Sequence, residues 1–230
     1  MSDRTAAERR EQLIEAYREV GACRLCPLGS SRTNPVFGMG NADAELMFVG
    51  EAPGAEEDRQ GKPFVGRAGK LLDQLLGEIG MERRRDVFVA NVLKCRPPGN
   101  RDPQPDEIES CRPYLVRQVE LIEPLVVCTL GNFATKLLTG SNVGITRQRG
   151  RPQERTVAGR QVVLYPLFHP AAALRTPKVL EELRGDFREI PALLERERER
   201  ADQRERPSAL AGIGAPAAPP EPPQLGLFGG

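Results

Sequence analysis

Apolar residues recur along this chain in two rhythms, and together they divide it into helices and strands. Residues 5–20 place Leu13, Ile14, Tyr17 and Val20 at helical spacing, and Gly21 closes the run. Residues 45–50 (ELMFVG) form a short, continuous apolar block, the pattern of a strand buried on both faces. Leu71, Leu72, Leu75, Leu76 and Ile79 restore the helical period over 67–79, with Gly80 as the stop signal. Apolar blocks at 86–93, 124–130 and 161–168 then alternate with helices over 106–122, 131–140 and 178–197. Strands alternating with helices in this way predict an α/β fold: three layers, α/β/α, around a central four-stranded, mainly parallel sheet. Ligands in such sheets bind beyond the carboxyl ends of the strands. The loops there are 51–66, 94–105, 131–132 and 169–175.

The pattern also sets the domain organisation. A helix over 1–20 precedes a domain over 21–197. The chain then becomes charged, and after that rich in Ala, Gly and Pro. Such a segment buries too little apolar surface to fold, so 198–223 reads as a disordered linker. It leads to a short apolar end, 224–230. No internal repeat is present.

Composition narrows the function classes. Of the 230 residues, 39% are hydrophobic, enough for a sizeable core. Lys and Arg nearly balance Asp and Glu, leaving a formal charge of +1, so any contact with nucleic acid needs a local basic surface. No apolar run is long enough to span a membrane. The charged N-terminus is unlike a secretory signal, and the chain is expected in the cytoplasm. Its five cysteines, an odd number, do not suit a disulfide framework in that compartment.

Cys23 and Cys26 form a CxxC pair, and Cys95 and Cys111 follow far downstream. Thiolates from separated segments can meet at one metal centre. By spacing alone an iron–sulfur cluster, a zinc ion and plain buried thiols all stay open. Cys128 lies inside an apolar strand and reads as core. The loop after the first strand holds Gly50 and Gly54, which permit close backbone approach, and the carboxylates Glu51, Glu56, Glu57 and Asp58. So many acids do not suit a phosphate loop; a plain acidic surface loop is the bland alternative. Phe64 could present its ring to a flat ligand. His169, the only histidine, follows an apolar strand, so it is either a structural residue or the one imidazole of a reactive site. Beyond it, Leu174 and Arg175 pair an apolar tip with a cation, a plausible wedge into a base stack.

Several of these blocks occur together and in order: VGEAPG with the following KPFVG, NVLKCRPPGNRDP, ELIEPLVVCTLG and FHPAAALR. Over about residues 20–195 the chain resembles the family-4 uracil-DNA glycosylases, bacterial and archaeal enzymes that carry a [4Fe–4S] cluster. The resemblance implies cluster ligation by Cys23, Cys26, Cys95 and Cys111. It implies a water-activating motif over Gly50, Glu51, Ala52, Pro53 and Gly54, with Glu51 the first choice of activator and Glu57 the second. Phe64 would stack on uracil, Asn91 would read the base edge, and His169 would lie against uracil O2. The loop carrying Ala172, Leu174 and Arg175 would enter the minor groove of uracil-containing DNA.

The implied reaction is hydrolysis of the N-glycosidic bond by a monomer, leaving an abasic site. A non-catalytic cluster-bearing DNA-binding adaptor is the alternative. Finally, Gln224, Leu225, Leu227 and Phe228 resemble the Q-L-x-L-F pentapeptide that binds the bacterial β sliding clamp.

Overall fold

The computed structural model describes residues 5–157 and 159–205. Its elements, in chain order, are helices α1 (Ala6–Ala22) and α2 (Leu28–Ser31), strands β1 (Met39–Gly40) and β2 (Leu46–Gly50), helices α3 (Ala55–Gln60), α4 (Arg67–Glu78) and α5 (Arg83–Asp86), and strand β3 (Val87–Asn91). Then come α6 (Pro105–Ile122), β4 (Val126–Leu130), α7 (Asn132–Thr139), α8 (Ile145–Gln148), β5 (Gln153–Val157), β6 (Arg160–Leu167), α9 (Pro170–Ala173) and α10 (Pro177–Glu205). Among the described residues no helix is long and apolar enough to cross a membrane.

One sheet runs in the order β1-β3-β2-β4-β6-β5. The four central strands are parallel, as the pattern predicts, with Gly50 opposite Asn91 and Leu130 opposite Leu167. Two edges were not foreseen: β1 pairs antiparallel with β3, and β5 antiparallel with β6, so the sheet has six strands rather than four. Every residue of β2, β3 and β4 is buried, because helices cover both faces of the sheet. Alternate side chains of β2 divide the core. Met47 and Val49 pack with Leu13, Ala16 and Val20 of α1 and with Leu115 and Val119 of α6. Leu46 and Phe48 pack on the opposite face with Leu72 and Leu75 of α4 and with Leu183, Phe187 and Ile190 of α10.

The N-terminal helix is therefore part of the same core. A capping box starts it: Thr5 accepts the Glu8 N–H, and the Glu8 carboxylate accepts the Thr5 N–H at 2.7 Å. At the other end α10 runs to Glu205, so the first eight residues of the expected linker, 198–205, are helical. Arg198 bonds Glu45, and Arg200 bonds Glu154 and Glu197, which ties this charged turn to the body of the domain. The rest of the linker and the segment 224–230, with Gln224, Leu225, Leu227 and Phe228, lie outside the described residues.

Candidate active site

The carboxyl ends of β2, β3 and β6 deliver Glu51, Asn91 and His169 to one rim. Together with Ala52, Glu57 and Phe64 they line a cavity of about 310 Å³, which Pro97, Asn100 and Arg101 close from the loop after β3. Gly50 lies close behind its walls. A Cβ there would lie 2.4 Å from Asn91 Oδ1 and 2.7 Å from Phe64 Cζ, so a side chain at this position would push both out of place.

Phe64 forms a flat wall. Its backbone is held at φ 51°, a left-handed conformation unfavourable for a bulky residue. Its ring lies 5.7 Å from that of His169, inclined by 26°. Arg83, buried behind the loop, imposes the backbone conformation. Its guanidinium donates to the carbonyls of Pro63, Phe64 and Gly69 and pairs with Asp73 at 2.7 Å. Gly69 lets α4 start directly against the Phe64 carbonyl, which a Cβ would meet at 1.7 Å.

The two acidic candidates have different surroundings. Glu57 Oε1 accepts the N–H groups of Val65 and Gly66, each at 2.9 Å, and Oε2 accepts that of Gly54 at 3.2 Å. The carboxylate is thus engaged in closing the loop on itself. Glu51 forms no side-chain hydrogen bond among the described residues. Its pKa is raised, first by burial and then by the like charge of Asp102.

His169 caps α9. Its Nδ1 accepts the Ala171 N–H at 3.1 Å, so in the neutral ring the proton sits on Nε2. Burial pulls the imidazole pKa down to about 4, against the charge of Glu57, and the ring is neutral near pH 7. Asn91 is buried, yet its side-chain amide has no partner among the described residues; its backbone is paired with β2, and its carbonyl accepts the Lys94 ammonium. The cavity therefore offers a flat apolar wall, an amide with a free donor and acceptor, a neutral N–H donor and a free carboxylate.

The family model for the uracil DNA glycosylase superfamily matches residues 37–190. The chain belongs to the uracil DNA glycosylase superfamily. A Type-4 uracil-DNA glycosylase of Archaeoglobus fulgidus is 48% identical over 187 residues, covering 80% of this chain and 94% of the relative. One of Thermotoga maritima is 49% identical over 168 residues, covering 72% and 85%. A Type-5 uracil-DNA glycosylase of Thermus thermophilus is more distant, 31% identical over 148 residues, covering 51% of this chain. Identity to these Type-4 relatives exceeds that to the Type-5 relative.

Away from the pocket, this glycosylase gathers Cys23, Cys26, Cys95 and Cys111 around one small hollow between the end of α1, the loop after β3 and α6. Among the described residues no three His, Cys, Asp or Glu side chains group tightly enough for a single metal ion. A zinc ion would draw its sulfurs to within roughly 4 Å of one another, given Zn–S bonds of about 2.3 Å. Four thiols from three segments around one hollow are a donor set that an iron–sulfur cluster can use.

Donors already point at these sulfurs. Arg32 reaches Cys95 Sγ at 3.1 Å, and the Lys94 backbone N–H reaches Cys111 Sγ at 3.2 Å. N–H donors of this kind stabilise the thiolates of iron–sulfur centres. Cys128 is wholly buried in β4.

Ala172, Leu174 and Arg175 lie outside the cavity, on α9 and the turn after it. All three are exposed, and Leu174 has 39% of its surface free. Two structural residues escaped the sequence reading, Arg83 behind Phe64 and Lys94 behind Asn91. Neither carries a local signal, since their partners lie on other elements. Glu57 did carry one: an acid three residues after Gly54, the spacing of a helix cap rather than of a catalytic group.

Proposed function

We propose that this chain hydrolyses the N-glycosidic bond of deoxyuridine in DNA, releasing uracil and leaving an abasic site. The unpartnered Asn91 amide facing the cavity carries this reading. Uracil presents an acceptor at O4 and a donor at N3, and one amide matches both. Cytosine reverses that pattern and would leave buried groups unpaired, at about 1–3 kcal/mol each. Type-4 relatives at 48% and 49% identity support the same substrate.

Bond cleavage develops negative charge on the base and positive charge on the sugar, and the site complements both. Phe64 stacks on the flipped base while Gly50 and Ala52 leave room for it. The Nε2–H of neutral His169 donates to uracil O2 and stabilises the departing anion. Glu51, with its carboxylate free, favours the cationic sugar and orients the attacking water. Glu57 shapes the loop. Leu174 and Arg175, with Ala172, enter the minor groove and help to hold the base out of the stack.

Cys23, Cys26, Cys95 and Cys111 would hold a [4Fe–4S] cluster, which supplies a rigid cross-link between α1, the loop after β3 and α6. The C-terminal Gln224, Leu225, Leu227 and Phe228 dock the bacterial β sliding clamp and bring the enzyme to replicating DNA.

The test incubates anaerobically purified protein with an oligonucleotide holding one deoxyuridine, followed by hot alkali. Strand breakage at the uracil alone, greatly reduced in His169→Ala and Asn91→Ala, is expected. Intact DNA that remains bound to the protein refutes the activity and leaves a DNA-binding adaptor. Removal of residues 224–230 should abolish co-elution with the clamp and leave excision unchanged.

A further inference from the structure

Lys94 is among the largest fully buried side chains of the protein, with 1% of its surface exposed. It lies in the short stretch between Asn91, in the base pocket, and Cys95, at the cysteine centre. All its polar groups are engaged. The ammonium donates to the Asn91 carbonyl at 2.7 Å and to Gln118 Oε1 at 2.6 Å. Gln118, itself wholly buried, is fixed by donating to the Phe37 carbonyl at 2.8 Å. The Lys94 backbone N–H points at Cys111 Sγ, and its carbonyl accepts the Val36 N–H at 2.7 Å.

A buried ammonium without a counter-charge is strongly unfavourable. Among the described residues no carboxylate pairs with it, so the two oxygens it donates to hold it in place.

We infer that Lys94 is a positioning residue that couples the cysteine centre to uracil recognition, its ammonium anchoring the Asn91 carbonyl while its backbone N–H is held at Cys111 Sγ, next to Cys95. The inference rests on the glycosylase reading above. The Asn91 amide has no side-chain partner, so its aim depends on where its backbone is held. Pairing with β2 fixes the strand, with Gly50 opposite Asn91, and the Lys94 ammonium holds the carbonyl at its end, while the Lys94 backbone is itself fixed at Cys111 Sγ. A centre with no redox step to perform thereby gains a role in base binding, exerted through one lysine.

The experiment compares unaltered holoprotein, Lys94→Met, Asn91→Ala and the double variant, each with its iron and sulfide measured. Equilibrium affinities are taken for free uracil and for a duplex carrying a stable abasic analogue. Lys94→Met should weaken uracil binding about tenfold, the scale of one charge-assisted hydrogen bond. Affinity for the abasic duplex should stay unchanged, and in the Asn91→Ala background the substitution should have no further effect.

Unchanged uracil affinity, an equal loss for abasic DNA, or additivity with Asn91→Ala would each overturn the coupling. Where Lys94→Met gives no folded holoprotein, Gln118→Leu decides. It keeps the lysine but removes one acceptor, and it must lower uracil affinity without lowering abasic-DNA affinity. Failure of the unaltered protein to release uracil from DNA would instead refute the glycosylase reading, and this inference with it.

Discussion

Glu51→Gln and Glu57→Gln should separate the two carboxylates of the pocket by kind of damage. The Glu57 carboxylate accepts three backbone N–H groups, from Gly54, Val65 and Gly66. In Glu57→Gln the amide oxygen keeps the bonds to Val65 and Gly66, but the amide nitrogen meets the Gly54 N–H, donor against donor. One charge-assisted bond is lost and two become neutral. Allowing for the partial exposure of Glu57, the cost is about 2–3 kcal/mol, or a fall in Tm of about 5–10 °C for a domain of this size. Glu51 has no internal bond to lose, and its charge is opposed by Asp102. Glu51→Gln should therefore leave Tm unchanged or slightly raised, while excision slows by about 10²–10³-fold. Thermal unfolding gives the first quantity. Single-turnover excision with enzyme in excess, well below either Tm, gives the second. An unimpaired Glu51→Gln beside a slow but thermally normal Glu57→Gln would refute the assignment.

Four further outcomes follow from the same geometry. Gly50→Ala puts a methyl 2.4 Å from Asn91 Oδ1, so the amide must move by about 1 Å; excision should fall about 10²-fold in a protein that still folds, as single-turnover rates beside a melting curve will show. With the carboxylate form of Glu51 active, as proposed, its raised pKa means that activity should be lost as pH falls through a value above the ordinary carboxylate one; His169, which protonates at about 4, does not set that limb. Asp102→Asn removes the opposing charge and should move the limb of the pH–rate profile to lower pH. Arg83→Met leaves the buried carbonyls of Pro63, Phe64 and Gly69 without their donor and should cost about 3 kcal/mol in a denaturant titration, with a matching loss of uracil affinity as Phe64 leaves φ 51°.

The central strands were legible because each is a continuous apolar block, and their carboxyl ends pointed to the rim where Glu51, Asn91 and His169 meet. The edge strands were not. β5 is QERTV, polar and mostly exposed, and pairs only with β6. β1 is two residues long and lies against β3 because Gly40 has no Cβ, which would sit 2.1 Å from the Val87 carbonyl. The charged run after 197 has the composition of a tether, yet Glu45 and Glu154, distant in sequence, fasten its arginines and extend the helix. Glu51 and Glu57 are alike as letters. What distinguishes them is which backbone N–H groups the folded loop turns toward each: cap spacing points Glu57 at Gly54, but no spacing rule reaches on to Val65 and Gly66.

The strand order also has a consequence for how the protein comes to exist. Glu51 and Asn91 emerge from the ribosome long before His169, and the strand that delivers the histidine, β6, pairs with β4 on one side and β5 on the other. Until β6 is made, the growing chain holds a half-pocket without an imidazole and an unpaired β4 edge open to other chains. Its parallel pairings join residues far apart in sequence, which makes them slow to form. Truncated products should therefore aggregate rather than retain part of the activity, and the newly made enzyme should acquire its catalytic competence all at once.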